Sequence, residues 1–552
     1  MTMTNTLHTP VLVVGAGPVG LTLAMDLAWR GIEVLVLEKR ARGVPPPVKS
    51  NHTSARSMEI FRRLGVADEL RNNGLPGDFP HSVSYRVTAI GKELTRIKIP
   101  SRNDRFTATD GPDCGWPTPE PPHRINQIYL EPILFAHAES FPTLKILSET
   151  ELSGFENHDD EVIATAYDHS NGKQLTIHCQ YLVGCDGGSS TVRKGIGAKF
   201  EGDAVIQRAQ STYIRAPQLL AMMQAGPAWA SFSLNPQRSG NMYAIDGKEK
   251  WLIHNYLRDD EPDFDSVDRD ACIRAILGVG PDFEYEVLGK EDWYGRRLIA
   301  NKFRQNRVFV CGDAAHIWVP YAGYGMNAGI ADATNLSWLL AAHLNGWAPA
   351  SILDAYTCER QPITEQVSHF VMNHCMEMAK QRMSVPDNID ADDEAGAAAR
   401  AELGRQAYEL NVQQYAAAGL NFGYYYDASP LIAYDGEKQP GYTMSTFTSS
   451  TVPGCRVPHL WLADGRSLYD ALGPEYTLLR FDPELDVQPL LNAAAKYGVP
   501  LTLLDVKSQE AAEYYPEKLV LARPDQHIAW RGNQLPDDAD QLIQRIRGAL
   551  SE

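Results

Sequence analysis

The sequence predicts an α/β protein, and three observations lead to this fold class. Two short apolar segments, residues 11–14 and 308–311, are each followed by a glycine-rich turn and a helix pattern, as in a parallel sheet with helices on its faces. Residues 205–298 contain four β-rich segments separated by polar turns, which indicates a second sheet. A chain of 552 residues also exceeds one typical domain, so several domains are expected.

The first glycine-rich turn has the spacing of a dinucleotide-binding βαβ unit. The residues assigned to this site are Gly15, Gly17, Val19, Gly20, Glu38 and Lys39. The first glycine permits the tight turn, the second lets a pyrophosphate approach, and the third lets the helix pack on the strand. Glu38 would accept hydrogen bonds from an adenosine ribose. This motif alone does not distinguish FAD from NAD.

The second glycine-rich segment, residues 308–338, is the most informative stretch of the chain. Its strand ends at Gly312-Asp313, and an apolar helix pattern follows from about Met326. The amides that open this helix lack intrahelical partners and carry the positive end of its dipole. These amides belong to Gly325, Met326 and Asn327. They suit a polar, electron-rich ligand edge, and Asp313 can accept hydrogen bonds from ligand hydroxyls.

The same segment resembles the second FAD motif of the class A (single-component) FAD-dependent aromatic hydroxylases, the family of p-hydroxybenzoate hydroxylase and phenol hydroxylase. The matching residues are Gly312-Asp313-Ala-Ala-His316, Pro320, Gly325-Met326-Asn327 and Asp332. The resemblance implies a Rossmann-like FAD-binding domain of the GR2 type, in which Asp313 holds the ribityl chain. It also implies that residues 325–327 meet the pyrimidine edge of the isoalloxazine. Pro320 would lie beside the flavin, where catalysis takes place.

Three further residues match positions of the FAD site in this family. Arg56 corresponds to an arginine that meets the FAD pyrophosphate, and Gln127 corresponds to a glutamine near the flavin. Asp186 belongs to an Asp-Gly motif with roles toward both FAD and NAD(P)H. Simpler readings stay open, because Gln127 fits a polar helix face and Asp186 can cap the helix that follows it.

Candidates for a substrate pocket come from the segment before Arg56 and from the second sheet. His52 lies where related phenol hydroxylases place pocket residues, but Asn51 stands where phenol hydroxylase has an acid, so that proton relay does not transfer. In the resembled fold, one face of the second sheet covers the flavin. The residues on it that could bind or deprotonate a phenol are Tyr213, Tyr243, His254 and Tyr256. Ordinary sheet packing is the simpler interpretation of each of them.

The chain is expected to cross between its two larger domains more than once. The predicted ranges are 1–77, 114–204 and 299–395 for a discontinuous FAD-binding domain, and 78–113 and 205–298 for a substrate-binding β-sheet domain. Residues 396–439 are predicted to be a connector, because the acidic and alanine-rich stretch around its start is typical of a solvated segment.

Residues 440–552 resemble the thioredoxin-like C-terminal domain of phenol hydroxylase. Thioredoxin chemistry needs two thiols, and Cys455 is the only cysteine after Cys375. Dithiol redox activity within this domain is therefore excluded, and packing or dimerisation is its expected role.

Composition narrows the class of protein further. A net charge of −18 argues against nonspecific binding to nucleic acid or to an anionic membrane, since both need a basic face. No apolar run reaches the roughly 18 residues that span a bilayer, and the polar first ten residues do not resemble a signal peptide. Eight cysteines without close pairing favour free thiols over disulfides or a metal site. We therefore expect a cytoplasmic protein without a bound metal.

The resemblance extends over nearly the whole chain and implies a monooxygenase that uses FAD, O2 and either NADPH or NADH. In this family the reduced flavin forms a C4a-hydroperoxide, and an activated phenolate attacks its distal oxygen in a water-free pocket. The implied partners are a small phenolic substrate and a second copy of the chain in a homodimer. Two alternatives remain: a related flavin monooxygenase acting on a polyketide or non-aromatic ring, by hydroxylation or Baeyer–Villiger-type insertion, and an inactive flavin-binding scaffold.

Overall fold

Three β-sheets with helices packed around them form the protein in the computed structural model, which describes residues 5–550. The strands are β1 (Asn5–Val14), β2 (Val34–Leu37), β3 (Val83–Arg86), β4 (Glu93–Ile97), β5 (Leu144–Leu147), β6 (Thr150–Asn157), β7 (Val162–Asp168), β8 (Lys173–Gly184), β9 (Phe200–Arg215), β10 (Ala230–Ser233), β11 (Gly240–Ala244), β12 (Lys250–Tyr256), β13 (Glu286–Ala300), β14 (Arg304–Gln305), β15 (Val308–Val310), β16 (His316–Ile317), β17 (Tyr476–Arg480), β18 (Leu501–Asp505), β19 (Leu519–Ala522) and β20 (Ile528–Gly532). The α-helices are α1 (Pro18–Trp29), α2 (Ala55–Arg63), α3 (Ala67–Arg71), α4 (Gln127–Ala138), α5 (Thr191–Gly195), α6 (Leu219–Met222), α7 (Arg269–Leu277), α8 (Tyr324–Leu344), α9 (Ala355–Met383), α10 (Glu394–Tyr415), α11 (Ala418–Phe422), α12 (Leu468–Ala471), α13 (Gln488–Lys496), α14 (Ala511–Tyr514) and α15 (Ala539–Ile546). Short 3₁₀ helices cover Gly312–Ala314, Tyr321–Gly323 and Ala350–Asp354.

The first sheet carries the predicted βαβ unit. Its strand order is β14-β15-β8-β1-β2-β5, in which β15, β8, β1, β2 and β5 run parallel, and β6 and β7 extend it antiparallel through β8. Every residue of β2 is buried, as expected for a parallel strand covered on both faces. Helix α8 approaches α1 so closely that a Cβ at Gly329 would lie 2.7 Å from the side chain of Val19.

The second sheet has the order β16-β13-β9-β12-β11-β10-β3-β4. Its strands come from segments on either side of β5 to β8, so the chain leaves the first sheet, returns to it and leaves again, which is the interleaving that the sequence predicts. Helix α7 covers one face, where the Ser233 hydroxyl donates to the Ile276 carbonyl at 2.7 Å. The opposite face is turned toward the loop that opens α8, since Tyr321 donates to Gln207 at 2.7 Å.

The third sheet, with order β18-β17-β19-β20, forms the thioredoxin-like C-terminal domain together with α13 and α15. Strands β17 and β18 are parallel, and β19 and β20 are added antiparallel. The domain packs against α8, where the rings of Trp338 and Tyr476 are 6.1 Å apart. Cys455 is buried in it, and burial raises the pKa of this thiol to about 12.

A buried set of ion pairs, which we call the junction network, joins the C-terminal domain to the rest of the protein. Its members are Arg56, Glu59, Glu359, Arg456, Arg523 and Asp525, each at most 7% exposed. Arg523 donates to both oxygens of Glu359 at 2.6 and 2.7 Å, and to Asp525 at 2.9 Å. Glu59 accepts from Arg56 at 2.9 Å and from Arg456. Three guanidinium groups thus face three carboxylates.

The region predicted to be a connector is instead largely helical. Helix α10 spans 22 residues and packs on β4 so closely that a Cβ at Gly404 would lie 2.3 Å from the Leu94 carbonyl oxygen. Its last residue, Tyr415, is buried in the core of the second sheet. The segment is rich in alanine, glutamate and arginine, which are strong helix formers, and its helix buries one apolar edge.

Within residues 5–550, none of the helices combines the length and the apolar composition that crossing a membrane requires.

Candidate functional site

The turn after β1 has the close approaches that its glycines predict. Gly15 adopts a φ of +104°, and a Cβ there would lie 2.4 Å from the Cys185 carbonyl oxygen. A Cβ at Gly20 would lie 1.9 Å from the Gly15 carbonyl oxygen, so only glycine lets α1 pack on the turn. Gly17 differs from both, because nothing lies within 4 Å of the position that its Cβ would take. This open side of the turn is where a ligand can reach the backbone.

The start of α1 is suited to an anion. Gly17 is its N-cap residue and supplies no side-chain hydrogen bond, and Pro18 occupies the first turn. The amides of this turn therefore keep the positive end of the helix dipole available. Such a helix start binds phosphate groups without further help.

The end of β2 places a carboxylate beside that turn. Glu38 accepts from the Ala16 amide at 2.8 Å and from the backbone and side chain of Arg40, each at 2.9 Å. Arg40 also pairs with Glu131, which accepts from Gln127 at 3.0 Å. Arg40 and Glu131 thus connect Glu38 to Gln127. Arg40 was not among the residues predicted from the sequence. Lys39, which it did single out, is exposed at the end of the strand.

Asp313 lies next to this turn, in the enclosed but solvent-accessible surface that we call the cofactor cleft. Its side chain is exposed to solvent, yet protein surrounds it closely enough that burial raises the pKa of its carboxyl, against the opposing effects of His316 and Lys49. A carboxylate that solvent reaches although protein encloses it is available to a bound ligand. The turn before it depends on Gly312, whose φ of +60° leaves Val19 3.1 Å from where a Cβ would stand.

A second aspartate supports this loop from below. Asp332 is fully buried in α8 and pairs with His316 at 2.6 Å and with Arg360 at 2.7 Å. Burial alone would raise the pKa of Asp332, but His316 and Arg360 overcome this effect and lower it. The loop that presents Asp313 is therefore held by an ionised carboxylate that takes no part in the cleft itself.

The start of α8 has a strained entry and free amides. Ala322 and Gly323 have φ values of +56° and +60°, and the N-cap residue Gly323 supplies no side-chain hydrogen bond. The Asn327 side chain is occupied by the segment before α2, since it accepts from the Ser54 amide at 2.8 Å and donates to the His52 carbonyl at 3.1 Å. Its backbone amide is the fourth of α8 and has the Gly323 carbonyl as intrahelical acceptor, so of the three predicted amides only those of Gly325 and Met326 are free. The residues between 320 and 327 that remain partly or fully exposed are Pro320, Gly323, Gly325 and Met326.

Two predicted cofactor residues have other partners in the structure. Asp186 accepts from the Thr191 amide at 2.7 Å and from the Ser190 hydroxyl, so it caps α5 as its simpler reading required. The Arg56 guanidinium is 5% exposed and belongs to the junction network. The assignment of Arg56 to a pyrophosphate is therefore corrected, because residues of the C-terminal domain that are distant in sequence occupy it.

Together these features fit FAD. The open backbone at Gly17 fits a diphosphate, and Glu38 retains acceptor capacity for a ribose. Asp313 fits a polyol chain, and the free amides at Gly325 and Met326 fit an electron-rich ring edge. A nicotinamide dinucleotide would use the first two features and leave the second two without a ligand group.

The predicted pocket residues of the second sheet lie on one face. Tyr243 of β11 is opposite Leu252 of β12, which is in turn opposite Tyr213 of β9. His254 lies two residues after Leu252 in β12 and is opposite Ser211 of β9, so its side chain points to the same face. The rings of Tyr243 and His254 are 5.7 Å apart. Tyr213 lies toward Tyr129 and Asp246, and burial raises its pKa to about 12. The structure thus brings Tyr243 and His254 together and leaves Tyr213 toward one side.

A hydrogen-bond chain determines which nitrogen of His254 carries its proton. The Trp293 indole donates to the Ser211 hydroxyl oxygen at 2.7 Å, and the same oxygen lies 2.6 Å from Nδ1 of His254. The Ser211 hydroxyl needs an acceptor for its own proton, and donation to Nδ1 provides one, which places the imidazole proton on Nε2. Burial lowers the pKa of His254 to about 4, so the ring is neutral near pH 7. His254 is therefore a hydrogen-bond donor and a poor base.

His52 has the same character. Nδ1 of His52 accepts from the guanidinium of Arg124, and its proton must then reside on Nε2. Burial, followed by the charge of Arg124, lowers the pKa of His52 well below its usual value. Arg124 also lies 4.7 Å from the ring of Trp229, which contacts Tyr243 at 5.4 Å. Arg124 was not predicted from the sequence, since a single arginine in a polar segment does not indicate a binding site.

These rings lie next to the cofactor cleft. A Cβ at Gly323 would be 2.9 Å from the Cβ of His52, so His52 packs on the loop that opens α8. Tyr321 of the same loop reaches the second sheet at Gln207. The cleft of the first sheet and the aromatic face of the second sheet thus meet at residues 320–323.

Comparison with known proteins agrees with this arrangement. A family model described as FAD binding domain matches residues 8–371, and one described as aromatic-ring hydroxylase, C-terminal, matches residues 450–551. An FAD-dependent monooxygenase of Emericella nidulans is 30% identical over 98% of this chain and 90% of its own length. A phenol 2-monooxygenase of Pseudomonas is 28% identical over 98% of this chain and 92% of its own length. The solved structure of the rebeccamycin biosynthetic enzyme RebC with reduced flavin is 32% identical, with a TM-score of 0.89 over 99% of this chain and 100% of that one.

Proposed function

The chain belongs to the FAD-dependent aromatic hydroxylases and is an FAD-dependent monooxygenase, and on this premise we propose that it hydroxylates a phenolic or related aromatic compound with NADPH or NADH as electron donor. The observation that carries the proposal is the meeting of the cofactor cleft with an aromatic surface at residues 320–323. A flat aromatic substrate bound on that surface lies against the position of the flavin ring.

The walls of the proposed substrate site are apolar and nearly dry. Trp229, Phe232 and Tyr415 are 5 to 6% exposed, and Tyr243 contacts both Trp229 and Phe232. Aromatic side chains of this kind favour offset or edge-to-face contacts with a substrate ring. Their burial also keeps water from the reacting atoms, which an oxygen-transferring site requires.

The polar groups of the site bind oxygen atoms of the substrate and do not remove protons. His52 and His254 are neutral and each presents an Nε2–H donor, so both can orient a hydroxyl or carbonyl oxygen. Neither has the pKa of a general base at neutral pH, because burial lowers both values. Bound FAD would supply the reduced, oxygen-reactive centre that this chemistry needs. The residues proposed to hold it are Gly17, Glu38, Asp313, Gly325 and Met326, with Pro320 beside its ring.

We also propose that the protein is a cytoplasmic homodimer whose other partners are a small aromatic substrate and O2. Sedimentation equilibrium of the FAD-loaded full chain tests the oligomeric state. A mass near 61.2 kDa at all concentrations contradicts the dimer, since that is the mass of one chain.

Anaerobic stopped-flow reduction of the flavin tests the proposed reaction. The purified protein is mixed with NADPH or NADH, with and without members of a panel of phenols, and the loss of flavin absorbance is followed. We expect one class of phenol to accelerate reduction, and oxygenated product to form when air is admitted. Fast reduction that no phenol changes contradicts substrate-gated hydroxylation and favours a ring-inserting enzyme. A flavin that no nicotinamide reduces under any condition favours the inactive scaffold.

A further inference from the structure

Buried arginines in this protein are almost always paired with a carboxylate. Twelve arginines between residues 5 and 550 are buried, and ten of them lie within 4 Å of an aspartate or glutamate oxygen. The two exceptions are Arg124 and Arg193. Arg193 donates to the Gly188 carbonyl at 2.9 Å and lies on the ring of Phe200 at 3.8 Å, next to the carboxylate of Asp186. Arg124 is the one that needs an explanation.

Arg124 is 4% exposed, and the polar groups around it do not satisfy its guanidinium. One of its terminal nitrogens donates to Nδ1 of His52, which is neutral, while the other, Nη2, has no hydrogen-bond partner among the described residues. The ring of Trp229 faces the guanidinium at 4.7 Å. An aromatic face attracts a cation only weakly compared with a carboxylate.

The acid near Arg124 is already committed. Asp113 accepts from Arg105 at 2.7 Å and from the Trp116 indole at 2.7 Å, and it is fully buried in those contacts. Burial lowers the pKa of Arg124 to about 10, which still leaves it charged near pH 7. Asp113 attracts Arg124 only from a distance, so the buried guanidinium lacks a directly paired anion, which a ligand can supply.

The location of Arg124 identifies that ligand. His52 connects Arg124 to the loop that opens α8, and Trp229 connects it to Tyr243 on the aromatic face of the second sheet. Resting on the proposed function, we propose that Arg124 binds an anionic oxygen of the aromatic substrate, either a phenolate or a carboxylate attached to the ring. The unpartnered Nη2 donates to that oxygen.

For a phenol, this contact replaces a general base. The O–H bond of the phenol breaks on binding, its proton passes to solvent, and the electron pair stays on the oxygen as a phenolate facing Arg124. No oxidant or reductant is needed for this step. The guanidinium favours the ionised form because a charged hydrogen bond in a dry site is much stronger than a neutral one.

The test is a binding titration of the full-length, FAD-loaded protein with 4-nitrophenol and, in a second arm, benzoate. The absorbance of bound 4-nitrophenol reports its own ionisation, and competition against it reports benzoate. In the wild-type protein we expect the pKa of bound 4-nitrophenol to fall below its value in water. Tight benzoate binding with an unshifted nitrophenol pKa would identify the carboxylate as the anion. A wild-type protein that prefers neither anion, including one that binds neither probe, overturns the proposal.

Variants assign the effect to Arg124. We expect Arg124→Met to weaken binding of the preferred anion at least about tenfold, Arg124→Lys to weaken it less, and the surface control Arg215→Met to leave it unchanged. FAD content is measured in each protein. Loss of FAD from Arg124→Met with unchanged anion binding by the remaining holoprotein would show that Arg124 serves the cofactor, which overturns the proposal.

Unfolding without any ligand provides a separate readout. Since Arg124 has no directly paired carboxylate, Arg124→Met is expected to leave the unfolding midpoint unchanged or to raise it, whereas Arg105→Met, which strands Asp113, lowers it. A large decrease for Arg124→Met means that the arginine is structural and overturns the proposal. Failure of phenols to accelerate flavin reduction in a protein that still prefers anions would count against the proposed function and not against Arg124.

Discussion

The junction network and the Arg124–His52 pair are two buried polar clusters built on opposite rules. In the junction network, three arginines face three carboxylates, and every guanidinium contacts at least one of them. Beside the cofactor cleft, Arg124 faces a neutral imidazole and an indole ring. Both clusters are equally dry. Burial alone therefore does not mark a functional charge, and the proposed role of Arg124 rests on its lack of a directly paired carboxylate.

Removing one charge from the junction network is expected to have the largest effect on the free energy of unfolding. Arg523→Met leaves Glu359 and Asp525 buried without their shared partner, and removing one member of a buried pair typically costs about 3–5 kcal/mol. We expect the free energy of unfolding in urea to fall by that amount. Arg405→Met, on the exposed side of α10, is the matched control, and its effect should stay within about 0.5 kcal/mol. Equal effects of the two substitutions would contradict a structural role for the network.

The response of stability to acid also distinguishes the junction network from the aromatic face of the second sheet. Burial lowers the pKa of His254 to about 4, from 6.5, so the unfolded chain binds a proton that the folded pocket rejects. The free energy of unfolding is therefore unaffected by His254 above pH 6.5. It falls by roughly 3 kcal/mol because of this one group as the pH is lowered from 6.5 to 4. In the junction network, Arg456 and Arg56 overcome the burial of Glu59 and lower its pKa below 4.5, so its contribution is lost only at lower pH.

Unfolding free energies measured between about pH 3 and 8 check this order. His254→Gln is expected to flatten the curve between pH 4 and 6.5 and to leave the steeper fall below that window in place. A curve with the same slope in the variant and the wild type would show that His254 does not titrate differently on folding.

Two aspartates near the cofactor cleft repeat the contrast on a smaller scale. Asp313 lies in the segment 312–316, which we call the cofactor loop, and Asp332 supports that loop from α8. Asp332 is paired with His316 and Arg360, whereas Asp313 is exposed in the cleft. We expect Asp313→Ala to weaken FAD binding by about 1–3 kcal/mol without changing the stability of the apoprotein. Asp332→Asn should lower both, because it strands Arg360. Fluorescence of released FAD and apoprotein unfolding measure the two quantities, and full flavin occupancy in Asp313→Ala would remove it from the site.

Local motifs predicted most of the fold and supplied the residues proposed for the cofactor site. The spacing of Gly15, Gly17 and Gly20 predicted a βαβ unit because the strand, the turn and the helix that carry them are contiguous in sequence. Asp313 was predictable for the same reason, since the strand, turn and helix around it are contiguous in sequence. Such features need no knowledge of distant residues.

Long-range contacts account for the failures. Arg56 was assigned to the cofactor, but its partners Asp525 and Gln526 lie almost a chain length away. Arg124 was missed because its importance depends on the absence of a directly paired carboxylate, which only the packed structure reveals. Helix α10 is different, since its alanines and glutamates already favoured a helix and the acidic composition was given too much weight.

Two neighbouring residues of α9 limit how freely this protein can be recombined. Glu359 pairs with Arg523 of the C-terminal domain, while Arg360 pairs with Asp332 under the cofactor loop. A truncation before residue 440 would leave Glu359 without its guanidinium on the helix that supports the cofactor. The last domain is therefore not an exchangeable cassette. A chimera with a relative's C-terminal domain should be chosen for a matching arginine at that contact before overall similarity is considered.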